Sequence, residues 1–215
     1  MIYHVLLVAH IAVLGYWLGS ELCINSEYRF ICMRNDIGFA ARDAMTDHLM
    51  DIDQHVRYAL ILQLTLGGML AALAGIFAEY LVWVLPILGL CWLALVESAH
   101  RLRKRAVGET LAQADRIVRY AVMALLVLGA IGMAAEVPYW LRMKLGLFAA
   151  LIGCGIWIRF LLMRHFSSWA EMRERGPTES AEAIIRNTYW KATSVLVLLW
   201  LCIGSIAALA IWKPT

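Results

Sequence analysis

Six apolar runs of about twenty residues, the length needed to cross the hydrocarbon core of a bilayer, lie near 2–22, 57–77, 79–99, 117–136, 139–162 and 189–212. Such a chain has few options. In lipid every backbone N–H and C=O must find its partner within the protein, which leaves helices or closed barrels. Runs this long and without polar–apolar alternation predict helices. The expected fold is an all-α integral membrane protein, a single polytopic domain over 1–215 with six transmembrane helices. A mean hydropathy of +0.71, with 62% hydrophobic and only 16% charged residues, sets the chain apart from soluble domains. The first run has no basic segment before it and no small-residue cleavage site, so it is expected to stay as a helix rather than leave as a signal peptide.

The distribution of basic residues predicts orientation. Arg29, Arg34, Arg42 and Arg57 flank the stretch 23–56. Arg101, Arg103, Lys104, Arg105, Arg116 and Arg119 crowd 100–116, and Arg159, Arg164, Arg173, Arg175, Arg186 and Lys191 surround 163–188. Only Arg142, Lys144 and Lys213 fall on the other side. By the positive-inside rule these three loops face the cytoplasm, and both termini face away from it across a bacterial-type inner membrane. Topology thus accounts for the basic residues, and no nucleic-acid partner is implied. The five cysteines, Cys23, Cys32, Cys91, Cys154 and Cys202, show no C-x-x-C spacing and are expected to be unpaired.

Within the first run, YHVLLVAHIAVLGYWLGSEL, stands His10, about eight residues or roughly 12 Å inside the helix at 1.5 Å per residue. A polar group at that depth is costly unless something engages it. Trp17, at i+7, shares its face, and Gly15 and Gly19 form a G-x-x-x-G pair that admits close approach of another helix or of a flat macrocycle. His4, His100 and His165 fall at run ends, where a polar tip can stay hydrated. Lys144 enters the fifth run about 9 Å from its end, deep enough to face inward and shallow enough to snorkel.

The stretch before the second run is the most polar of the chain. If helical, it places His48, Asp51 and His55 at i, i+3 and i+7, with Asp47 adjacent, which is chemistry that suits several divalent metals. It reads equally as an amphipathic extension of the second helix with acids near its N-terminal end. Three segments, 66–74, 128–136 and 203–210, each carry a glycine followed by small residues. They suggest three helical hairpins of one design, and small residues are also generally enriched where membrane helices pack.

A buried membrane histidine serves chiefly to ligate haem or metal, to relay protons or to bond a neighbouring helix. A porphyrin needs an apolar slot, an axial nitrogen, and basic or aromatic groups near its propionates. The first helix offers the first two, and Trp140, Arg142, Lys144 and Trp212 are candidates for the third. A histidine that only hydrogen-bonds a neighbouring helix is the alternative.

Ala9-His10-Ile11-Ala12-Val13 followed by Trp17 and Gly19, Trp140-Leu141 followed by Lys144-Leu145, and the closing Lys213-Pro214 together resemble the HemJ-type protoporphyrinogen IX oxidases and their CopD-type relatives in copper resistance. The resemblance covers about half the chain through short motifs and leaves 79–136 as an added hairpin. It implies haem b with His10 as axial ligand, and Lys144 as second ligand or propionate partner. It also implies an oxidoreductase or electron-transfer activity, with a tetrapyrrole or quinone as partner. The CopD side implies copper, for which ten methionines and five cysteines offer soft ligands. The methionines are scattered, with no M-x-x-M cluster. A third reading is a cytochrome b subunit that works with other membrane subunits or as a homo-oligomer. Should the haem sit near the inner face instead, His55, His100 and His165 are the alternative ligands.

Overall fold

A computed structural model describes residues 1–132 and 137–213. Among them the protein is all helical, with six helices: α1 (Ile2–Met33), α2 (Phe39–Leu73), α3 (Leu81–Arg101), α4 (Ala106–Gly132), α5 (Tyr139–Arg175) and α6 (Glu179–Trp212). Five of them, α1, α2, α3, α5 and α6, are long and apolar enough to cross a membrane. The protein is therefore an all-α, multi-pass membrane protein whose outward side chains meet lipid. On α1 these include Val5, Val8 and Ile11, each at least 59% exposed. The described part of α4 carries Asp115, Arg116 and Arg119 in its middle. The end of the fourth apolar run and of the 128–136 segment, residues 133–136, lies outside the described residues, as does Pro214.

Two of the three expected loops are largely helix. The stretch 23–56 belongs to α1 and α2 except for residues 34–38, and 163–188 belongs to α5 and α6 except for 176–178. The third, 100–116, is mostly α4, which starts at Ala106. Hydropathy marks only the part of a helix that meets hydrocarbon, and a polar extension stays helical when one stripe of it is buried. That stripe is present in these extensions. Ile31 and Cys32 on α1, Trp169 and Met172 on α5, and Ile185 on α6 are all buried to within 2%.

Helix ends follow local chemistry. Gly75 (φ +73) and Gly176 (φ +85) take the left-handed conformation just past α2 and α5, where a side chain would be strained. Thr178 caps α6 by accepting from Ala181 N at 3.3 Å, with Glu179 and Glu182 in the first turn, favoured by the helix dipole. In the α1–α2 connection Arg34 grips Asp36 through two 2.7 Å bonds, which holds that carboxyl below its ordinary range.

The chain divides into two compact units. The first comprises Met1–Glu27 with Asp47–Ile117, and the second Tyr28–Thr46 with Val118–Thr215. In the first, α2 and α3 pack antiparallel through glycines. A Cβ on Gly68 would lie 2.6 Å from Leu85 Cδ1, and one on Gly89 would lie 2.5 Å from Thr65 Oγ1. The small residues of 66–74 are thus contact positions. Toward the α3–α4 connection, Gln54 Nε2 donates to Val96 O at 3.1 Å and Trp92 Nε1 to Asp115 at 2.9 Å. In the second unit α4 and α5 are antiparallel, with Arg142 Nε donating to Ala130 O at 3.0 Å, and α5 packs along α6.

Candidate functional site

His10 is positioned by α1 and received by α2. Its Nε2 lies 3.1 Å from Gln63 Nε2, and a Cβ built on Gly67 would come within 3.2 Å of its Cε1. Gln63 and Gly67 are one turn apart, so the face of α2 that meets the imidazole presents an amide and, one turn on, no side chain. Adding even a methyl at Gly67 would press on the ring. With the imidazole proton on Nδ1, Nε2 accepts from the Gln63 amide. The lone pair so engaged is the one a metal would take. Gln63 Oε1 is itself buried and accepts no hydrogen bond, so the amide is held through one end only.

Trp17 shares the His10 face and is packed, 1% exposed, with its indole N–H donating to Glu21 at 3.3 Å. His10, Trp17 and Glu21 therefore line one stripe of α1 that faces the interior of its unit. Gly15 and Gly19 do not join it. At about 100° per residue they fall on the other side of α1, and a Cβ on either would meet nothing within 4 Å. That glycine pair is an open, smooth surface rather than a wall of the histidine site.

The remaining candidates belong to other surroundings. Lys144, Trp140 and Arg142 lie in the second unit, at the start of α5. Lys144 Nζ sits 5.2 Å from the Trp140 ring centroid. Arg142 lines a cavity of about 290 Å³ with Ala130, Tyr139, Met143, Gly146 and Leu147. His55 Nδ1 is 2.6 Å from Tyr16 Oη, and its ring stands edge-on to Tyr58 at 6.0 Å. Asp51 is brought to His100, 3.1 Å away, and Arg103 Nη1 sits beside both, 3.0 Å from Asp51 and 2.8 Å from His100 Nε2. A guanidinium thus stands where a cation would. His48 is exposed. Among the described residues no three of the His, Cys, Asp or Glu side chains gather as a metal ion would require.

His165 enters a buried network that no residue pattern announced. Tyr28 Oη lies 3.1 Å from its Nδ1, and its ring stacks on Trp169 at 5.3 Å and 16°. Beside it Arg42, 2% exposed, binds Glu182 through two bonds of 2.6 and 3.0 Å. Arg42 Nε donates to Ile31 O at 2.8 Å, and its guanidinium covers Trp169 at 5.3 Å. Trp169 Nε1 and Arg173 Nε both donate to Asp43 Oδ1 at 2.7 Å.

Sequence reasoning missed two residues at the histidine, Gln63 and Gly67. The signal for Gln63 was present, as a lone amide in the run YALILQLTLGG. Gly67 appeared only as one of several small residues. No family model matches the chain, and no curated protein and no solved structure matches it either.

Proposed function

We propose that the protein is a b-type haem protein of the bacterial inner membrane, working in electron transfer or oxidation, with His10 as an axial ligand. The observation that carries this reading is the seat of His10: an imidazole inside an apolar helix, lodged against Gly67, with its Nε2 3.1 Å from the Gln63 amide nitrogen. The donor chemistry fits haem. A neutral imidazole is the common protein ligand of haem iron, and with its proton on Nδ1 the His10 ring would present the Nε2 lone pair. Releasing that nitrogen costs one neutral hydrogen bond, about 1 kcal/mol net. Haem b held there would supply one-electron redox chemistry.

The chain's own residues then have defined tasks. Gln63 orients the ring, Gly67 leaves it room, and Trp17 and Glu21 continue the same stripe of α1 toward the polar end of the helix. The enzymatic version of this reading is HemJ-like oxidation of protoporphyrinogen IX, a flat apolar substrate that would approach from the lipid side. The basic stretches support a cytoplasmic location for the α1–α2, α3–α4 and α5–α6 connections, with both termini on the opposite side.

Reduced-minus-oxidised and pyridine haemochrome spectra of the detergent-purified protein provide the test. Near-stoichiometric haem b is expected, lost in His10→Ala and kept when His100 or His165 is replaced. Absence of haem b from the wild type, or full haem in His10→Ala, overturns the assignment. Protoporphyrinogen oxidation that requires His10 would select the enzymatic version.

A further inference from the structure

At the opposite end of the second unit from the Arg42 network, two cations converge on one aromatic ring. Lys144, in the second turn of α5, places its Nζ 5.2 Å from the Trp140 centroid. Lys213, at the end of α6, places its own Nζ 5.8 Å from the same centroid. Both ammonium groups thus lie within 6 Å of one ring centroid, which gathers two like charges about it. Neither makes an ion pair among the described residues. The described acids of this unit, Asp36, Asp43, Glu171, Glu174, Glu179 and Glu182, all sit toward the far ends of the helices. Glu171 is about 40 Å from Lys144 along α5 at 1.5 Å per residue.

Lys213 is also the one non-glycine residue with positive φ among those described, at φ 40. It closes α6 in the left-handed conformation, with its N–H on Leu209 O at 3.2 Å. Glycine or asparagine usually fills such a position, so a lysine there accepts strain in return for its side chain. An indole face draws in a cation, but one ring does not compensate two like charges brought together. A shared anion would.

We propose that Lys144, Trp140 and Lys213 form a clip for a phosphate-bearing anion, either the headgroup of an anionic phospholipid or a soluble phosphate. Lysine binds phosphate as a compact point charge. The location suits the chemistry, because Tyr139, Trp140 and Trp212 mark the level of the lipid headgroups. The adjoining face of the same two turns of α5 borders the 290 Å³ cavity, whose Met143, Gly146 and Leu147 offer an apolar bed for an acyl chain. The assignment is independent of the haem reading, since it gives Lys144 an anion rather than iron.

The full-length protein in phosphatidylcholine nanodiscs, with or without phosphatidylglycerol, supplies the test, with bound lipid read by native mass spectrometry. The wild type should retain phosphatidylglycerol in preference to phosphatidylcholine. Lys213→Gln should weaken that retention about fivefold and Lys144→Gln/Lys213→Gln about thirtyfold. Arg175→Gln, at the other end of α5, should leave it unchanged. Inorganic phosphate added to phosphatidylcholine discs distinguishes the sources. Stabilisation by phosphate that the double variant loses identifies a soluble ligand, and its absence beside phosphatidylglycerol retention identifies the lipid. Equal binding of both probes by wild type and Lys213→Gln overturns the clip. So does loss of haem in Lys144→Gln with anion binding intact. His10→Ala should bind the anion as the wild type does, so failure of the haem reading leaves this result legible.

Discussion

The Arg42–Glu182 pair and the His10–Gln63 pair are both polar contacts inside a membrane protein, and they are built on opposite principles. Around Arg42 each group is answered. Glu182 takes two bonds from the guanidinium, Ile31 O takes a third, and Trp169 covers its face. A buried ion pair of this kind is not stabilising in itself, because desolvation offsets the attraction, but it is intolerant of losing one partner. At His10 the partner shown is an amide, Gln63, 3.1 Å from the ring Nε2. The oxygen of that amide is buried and accepts no hydrogen bond. The ionic site is closed and specifies how the α1–α2 turn region joins α5 and α6 within its unit. The amide site keeps one buried oxygen without a hydrogen bond, a cost that the ionic site does not carry.

The sharpest way to break this contrast is to remove one charge. Glu182→Ala leaves a guanidinium buried and should cost about 3–5 kcal/mol, measured as a shift in reversible unfolding in mixed micelles. The paired replacement Arg42→Met/Glu182→Leu should recover most of that loss. A comparable loss in the paired variant would mean the ions themselves stabilise the fold. Gly67→Val is next. It puts side-chain atoms where the His10 ring lies and should cost about 1–3 kcal/mol by overpacking. By the proposal above it should also displace haem from His10, seen as a changed Soret band, while the same change at Gly15 should alter neither. Tyr28→Phe removes one neutral hydrogen bond to His165 and should cost about 1 kcal/mol, well short of the Glu182 effect. Smallest of all, Gln63→Leu should cost less than about 1 kcal/mol, because the hydrogen bond to His10 that it removes is offset in part by the loss of a buried oxygen that has no partner. It should leave His10 able to hold haem, so haem loss in Gln63→Leu would show that the amide is part of the binding apparatus rather than an occupant that yields.

Much of the fold was legible because hydrocarbon imposes a simple rule. The apolar runs near 2–22, 57–77, 79–99, 139–162 and 189–212 each lie within or almost within a helix long and apolar enough to span. The polar extensions were not legible to hydropathy. Their signal is a buried stripe, His165, Ser168, Trp169 and Met172 on α5 and Ala181, Ile185 and Tyr189 on α6, spaced three or four apart among charged residues. At the candidate site, His10 was conspicuous because an imidazole in an apolar run has few innocent explanations. Gly15 and Gly19, equally conspicuous, face away from it, since spacing alone does not say which side of a helix a neighbour will occupy.

By itself, the sequence determined that this chain is a helical membrane protein, and it singled out His10 as an imidazole within an apolar run. Both rest on local rules, the satisfaction of backbone hydrogen bonds in lipid and the cost of placing a polar side chain in an apolar run. Only the tertiary structure decided what each polar group meets. Arg42 and Glu182 are 140 residues apart, His10 and Gln63 are 53 apart, and Lys144 and Lys213 converge from two helices. Those pairings depend on how the helices rotate and stack, which is a property of packed surfaces and not of any single run of residues.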